Sequence, residues 1–190
     1  MLEKIPGAVG EALSGLKAGR DKTAVHSDFS DIPDTVTLTS PAFADGADMP
    51  ARFTADGAGV SPPLAWSGLP AGTAALVILV EDAGSPTPRP LVHLIAWAIP
   101  LEPAELPEGA LASPGYPGSG HALGQNSFLR AEWLPPDPPT GHGPHDYVFQ
   151  IFALLQSLAL AEAPGRGALI DAMRGHVLAK GTLTGVYYRS

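Results

Sequence analysis

Cysteine is absent from the 190-residue chain. That removes disulfides, thiolate zinc sites and cysteine nucleophiles together, and leaves the redox compartment open. Positive charge is scarce as well. Lys and Arg number 11 against 19 Asp and Glu, a formal net charge of -8, which excludes a general nucleic-acid or anionic-membrane binder. An anionic ligand would need a local site. No apolar run is long enough to span a bilayer, so no integral membrane segment is expected. The first twenty residues mix both charge signs and have no continuous apolar core, so they do not read as a signal peptide; a cytoplasmic location is the expectation. Nucleotide-binding glycine motifs are missing, and none of Ser61, Ser85 or Ser127 sits in a G-x-S-x-G elbow. No nucleotide cofactor is expected, and no internal repeat is visible.

What is present is 22 glycines and 21 prolines, spread along the chain, with 45% hydrophobic residues. This suits one loop-rich β domain with a full-sized core. The most informative stretch runs over residues 75–99. An apolar strand, Leu76 to Val80, ends on Glu81 and Asp82; a Gly/Ser/Pro loop follows, then a second apolar strand, Leu91 to Ile99, with His93 set into it. Charged groups are rarely buried without partners, so Asp82 and His93 are expected to line a pocket, against the plainer reading of satisfied polar residues at strand ends.

Upstream, Leu2, Ile5, Val9, Leu13 and Leu16 are spaced by three and four, which predicts a helix over residues 2–16. It would dock on the domain body or on a second copy, the latter giving a homodimer. Residues 35–53 read as short strands and turns, and Ser61-Pro62-Pro63 as a stiff edge or pocket wall leading to Trp66. Beyond Pro100 a long Pro/Gly-rich connection has little secondary structure of its own and ends rigidly at residues 135–145. A third core strand starts at Tyr147, with His145 and Asp146 at its mouth. A helix from Gly167 to Leu178, with apolar face Leu169, Ile170, Met173 and Val177, precedes a last strand from Thr182 to Tyr188. The sum is a mainly β sandwich with peripheral N- and C-terminal helices.

Asp82, His93, His145 and Tyr147 could meet at one small cavity. There His and Tyr would donate to an anion while Asp orients a histidine. The spacing His142-x-x-His145, with His93 and Asp82, also offers metal-ligand types, but Gly-Pro separates the two histidines and no metal is expected.

Several motifs together carry a resemblance. They are F-T-A-D-G-A-G-V-S-P-P-L-A-W (53–66), V-E-D-A-G-S-P (80–86), V-H-L-I-A-W-A-I-P (92–100), G-Q-N-S (124–127), P-P-T-G-H-G-P-H-D-Y (138–147) and G-H-V-L-A-K-G-T-L-T-G-V-Y (175–187). In this order they make the chain, over about residues 35–190, similar to the phosphatidylethanolamine-binding protein family in its bacterial, Raf kinase inhibitor-like branch. The resemblance implies a large antiparallel sheet packed on a smaller one. It also implies a surface cavity for phosphate or a phospholipid head group, built from Asp82, His93, His145 and Tyr147, with Pro86 and the Pro138-Pro139 pair in its loops. Residues 1–22 would form a helical extension. Three departures stand out: the second acid of the family's D-P-D-x-P is Gly84, the Arg of H-R-Y is Asp146, and the Gly before the Pro-Pro pair is Asp137. Two added acids beside an anion site should weaken phosphate binding. The reading that results is a non-enzymatic, cofactor-free binding protein with a regulatory role through protein partners. The alternatives are an enzyme using His93 or His145 with Asp82 for acid–base chemistry, and an interaction protein that leaves the cavity unused.

Overall fold

The structure, a computed structural model, describes residues 7–111 and 121–189. Its centre is strand β3 (Ala75–Asp82), whose eight residues are all buried. A run apolar on both faces can sit only in the middle of a sheet that is covered on both sides. β4 (Leu91–Ile99) and β7 (His145–Leu154) flank it, and β6 (Ala122–Gly124) and β8 (Val177–Tyr187) complete a five-stranded antiparallel sheet in the order β6-β4-β3-β7-β8. A smaller antiparallel sheet holds β1 (Thr37–Thr39), β2 (Leu64–Ser67) and β5 (Glu105–Leu106), with β2 in the middle.

One face of the large sheet packs on the small one. Leu76, Ile78 and Val80 of β3 and Phe149 and Ile151 of β7 meet Leu38 and Trp66 there. The other face is covered by helical chain: Val77, Leu79 and Phe152 share a core with Val25 of the short α2 (Ala24–Ser27), with Phe29, and with Leu169, Ile170 and Met173 of α3 (Arg166–Met173). Each such fully buried aliphatic side chain contributes about 2 kcal/mol of transfer free energy. The result is three layers, and the alternation along β3 sends Glu81 to the helical face and Asp82 to the inter-sheet face.

Several expectations need correction. The C-terminal helix stops at Met173, because Arg174 is extended and Gly175 takes a positive φ of 76° that turns the chain. Val177 therefore opens β8 instead of lying on the helix face, and the last strand starts there, not at Thr182. Residues 35–53 give only β1 as strand; turns and a single helical turn, Ala51–Phe53, account for the rest. The connection beyond Pro100 contributes β5 and β6, and Ser61-Pro62-Pro63 leads into the central strand of the small sheet rather than forming an edge. At the N-terminus, Leu2 and Ile5 lie outside the described residues. Helix α1 spans Gly7–Leu13 and does not dock by its apolar positions, since Val9 is 44% and Leu16 57% exposed. It docks through Gly10, where a Cβ would come within 2.0 Å of the Thr140 carbonyl oxygen, so backbone meets backbone on the domain body. Among the described residues no helix is long and apolar enough to cross a membrane.

Candidate functional site

Asp82 ends β3 opposite Tyr147 of β7, and both face the small sheet; His145, two residues earlier on β7, shares that face. His93 arrives differently. Val80 pairs with Leu94 and Glu81 with Val92, which leaves His93 unopposed in a β-bulge. Plain alternation would put His93 with Ile95 and Trp97, which pack on the helical face. The extra residue re-aims it, and its ring meets Tyr147 edge-on at 5.0 Å and Trp133 at 6.4 Å between centroids, both members of the inter-sheet core.

The four side chains named from the sequence are thus brought together, and His142 joins them. Asp82 Oδ2 accepts from His145 Nδ1 at 2.8 Å. His145 Nε2 lies 2.8 Å from His142 Nδ1, and His142 Nε2 lies 3.1 Å from the Leu16 carbonyl oxygen. A carboxylate and a carbonyl oxygen only accept, so three hydrogen bonds through two imidazoles need three hydrogens, where two neutral rings bring two. The row is complete only with one further proton. At His142 that proton is opposed, because burial and the neighbouring His145 hold its pKa below the ordinary value.

The cluster is closed: Asp82, His93, His142, His145 and Tyr147 are each at most 4% exposed. Yet His93 Nε2, the Tyr147 hydroxyl and Trp133 Nε1 are buried with no hydrogen-bond partner among the described residues. The other ring nitrogen of His93 is fixed, with Nδ1 donating to the Leu134 carbonyl at 2.7 Å while Leu134 N–H donates back to the His93 carbonyl at 2.9 Å. Burial lowers the His93 pKa, with the charge of Asp82 opposing, and raises that of Tyr147 well above its ordinary value, so the phenol keeps its proton.

The three departures noted with the resemblance, Gly84, Asp146 and Asp137, each have a physical setting. Gly84 donates its N–H to Asp82 Oδ1 at 2.8 Å, and a Cβ there would come within 2.6 Å of His145 Cα, so an acidic side chain does not fit. Asp146 is paired with Arg20 at 2.9 Å, and Asp137 with Arg189, which also grips Asp56. Both added acids therefore carry a cation, one from each end of the chain, and no sequence pattern announces either pairing. Pro138 and Pro139 are buried in the segment leading to His142, and Pro86 is partly buried just past Ser85. Sequence reasoning missed the roles of His142, Trp133 and the Leu134 carbonyl. Of these, only the His-x-x-His spacing was a readable signal.

A strap formed by residues 10–20 crosses the loops that carry these groups. Ala18 N–H donates to Ser85 O at 2.8 Å and Gly19 N–H to Ala83 O at 2.9 Å, and Lys17 Nζ donates to Pro144 O at 2.9 Å. A surface groove of about 370 Å³ involves different residues, among them Lys22, Asp28, Arg89 and Arg166. Arg166 is already paired there with Glu81 and Asp28. The partnerless buried polar atoms make the inter-sheet cluster the better candidate.

Comparison with known proteins bears on the family and the fold. The sequence pattern described as phosphatidylethanolamine-binding protein matches residues 39–188. A UPF0098 protein of Pyrococcus horikoshii is 38% identical over 151 residues, covering 79% of this chain and 75% of that one. A relative in Mycobacterium tuberculosis, 36% identical over 156 residues and covering 79% and 73% of the two chains, carries a lipoprotein name, LppC. Among solved structures, Escherichia coli YbcL, described as a new member of the mammalian PEBP family, superposes with a TM-score of 0.75 at 28% identity, over 82% of this chain and 99% of that one. With the two-sheet architecture and the match over most of its length, the chain belongs to the phosphatidylethanolamine-binding protein family.

Proposed function

We propose that this chain is a non-enzymatic binding protein. Its Asp82, His93, His145 and Tyr147 would hold a small anion, either phosphate or the phosphate of a phospholipid head group, with Pro86, Pro138 and Pro139 shaping the loops around them. The observation that carries this reading is the pair of buried, partnerless polar atoms, His93 Nε2 and the Tyr147 hydroxyl, on side chains in ring contact. A buried polar group without a partner costs about 1–3 kcal/mol, and a ligand that pairs both atoms recovers that cost on binding. The arginines on Asp137 and Asp146 support the same reading, because they offset the acids that would otherwise repel an anion. A regulatory role accords with a site that binds without turnover: occupancy would change which protein partner the loops admit.

Calorimetric titration with phosphate and with phosphorylethanolamine tests this. Binding to the native chain is expected, weakened about tenfold, or about 1.4 kcal/mol, by Tyr147→Phe and at least as much by His93→Ala. Absence of binding by both ligands, or affinity untouched by both substitutions, removes the site.

A further inference from the structure

The hydrogen bonds around His93 bear on which anion the pocket accepts, a question that rests on the anion-pocket reading proposed for this site. The Leu134 carbonyl can only accept, so the hydrogen of a neutral His93 sits on Nδ1, and Nε2 presents a lone pair to the cluster. The side chain beside it in the partnerless pair, Tyr147, presents a hydroxyl that can donate. An entering anion therefore finds a donor at Tyr147 but an acceptor at His93, with the Asp82 carboxylate close by in the same cluster. An anion with no hydrogen places its own lone pairs against Nε2. An anion bearing a hydrogen donates that hydrogen to His93 and accepts from Tyr147.

We infer that the pocket selects a phosphate-type ligand that brings its own hydrogen and rejects a tetrahedral anion that has none, with His93 as the residue that sets the choice. Hydrogen phosphate meets the condition through its P–OH. A phosphodiester meets it only if one of its ester groups bears an N–H or O–H. Sulfate, of the same shape and charge at neutral pH, does not. The Leu134 carbonyl is the positioning group, since it fixes which nitrogen is bare. The titratable and charged groups acting on His93 are Asp82 and Asp137, which favour its protonation, and His145, which opposes it. Acidification converts Nε2 into a donor and should relax the selection.

The test compares phosphate with sulfate by calorimetry on the full native chain at pH 7.5 and again near pH 5.5. Phosphate is expected to bind at least thirtyfold more tightly at the higher pH, with the ratio narrowing at the lower. Sulfate binding should also take up a proton, seen as a dependence of the apparent enthalpy on buffer ionisation. His93→Gln, whose amide can either donate or accept, should bring the ratio near unity while retaining the native melting behaviour. Dihexanoylphosphatidylethanolamine and dihexanoylphosphatidylcholine, whose glycerol hydroxyls are esterified, separate a lipid source from free phosphate. Only the first has an N–H, so only the first is expected to exceed sulfate. Equal affinity for phosphate and sulfate at pH 7.5, a ratio unchanged by His93→Gln, or choline matching ethanolamine overturns the selection and leaves the pocket standing. No binding of any of these at either pH removes the pocket and the selection together.

Discussion

Glu81 and Asp82 are adjacent carboxylates on one strand, and they live in opposite kinds of surroundings. Glu81 faces the helical layer, where it accepts from Ala24 N–H at 2.7 Å, Gln150 Nε2 at 2.9 Å and Arg166 Nε at 2.7 Å. Nearby, Lys180 Nζ donates to the Val25 and Phe29 carbonyls at 2.9 and 2.7 Å. Every one of these groups is engaged, which is what a structural network looks like. Asp82 faces the small sheet and is itself bonded to Gly84 and His145, but its neighbours His93 and Tyr147 each keep a buried polar atom with no partner among the described residues. Both carboxylates are buried; what distinguishes their surroundings is the completeness of the hydrogen bonding among the described residues.

The contrast between the two carboxylates is tested most severely at Glu81. Glu81→Ala strands the Ala24 amide and leaves Arg166 and Gln150 without their acceptor. It should cost about 3 kcal/mol in urea unfolding while leaving phosphate affinity within about twofold. A cost below about 1 kcal/mol would mean that the helical-face network is not the structural half. Next comes pH. Burial lowers the folded-state pKa of His93, so its neutral form stabilises the native state. That contribution is fully present above about pH 6.5 and is lost as the pH falls below it. Melting temperature measured between pH 8 and pH 5 should decline on the acid side, and an NMR titration of His93 should show a midpoint below 6.5; a midpoint above that value reverses the sign. Tyr147→Phe should act in the opposite sense to Glu81→Ala, raising stability by about 1 kcal/mol, because it removes a buried hydroxyl that has no partner among the described residues. The smallest effect belongs to Arg20→Ala. Its ion pair with Asp146 is half exposed, and its loss should cost about 0.5 kcal/mol or less. Its larger signature is a weaker anion affinity once Asp146 is uncovered.

Much of the fold was legible in the sequence because β3, β4 and β7 are long apolar runs that leave a sheet few alternatives. The site was legible in outline: Asp82, His145 and Tyr147 fall on one face by alternation alone. His93 was singled out as a polar residue in an apolar strand, but its direction was not legible, since alternation points it the wrong way and nothing in V-H-L-I-A-W announces a bulge. The helix end at Met173 was missed because Val177 and Leu178 continue a helical spacing, and the positive φ at Gly175 overrides it. The partners of Asp137 and Asp146 were invisible for a different reason. They are arginines at residues 20 and 189, whose proximity depends on where the two chain ends fold back.

The N-terminal strap bears on how much chain must be kept as one unit. The family's sequence pattern begins at residue 39, a natural place to cut a fragment. Such a fragment would lose the Ala24 amide that Glu81 holds, the carbonyls that Lys180 holds, and Val25 and Phe29 from the core. It would also lose the backbone pairs to Ala83 and Ser85 and the Leu16 carbonyl on His142. Shared ancestry and cooperative folding therefore have different borders in this molecule. A fragment drawn at the first border would carry the recognisable motifs with Lys180 stripped of its carbonyl acceptors, Glu81 short of one of its three partners and His142 without the Leu16 carbonyl.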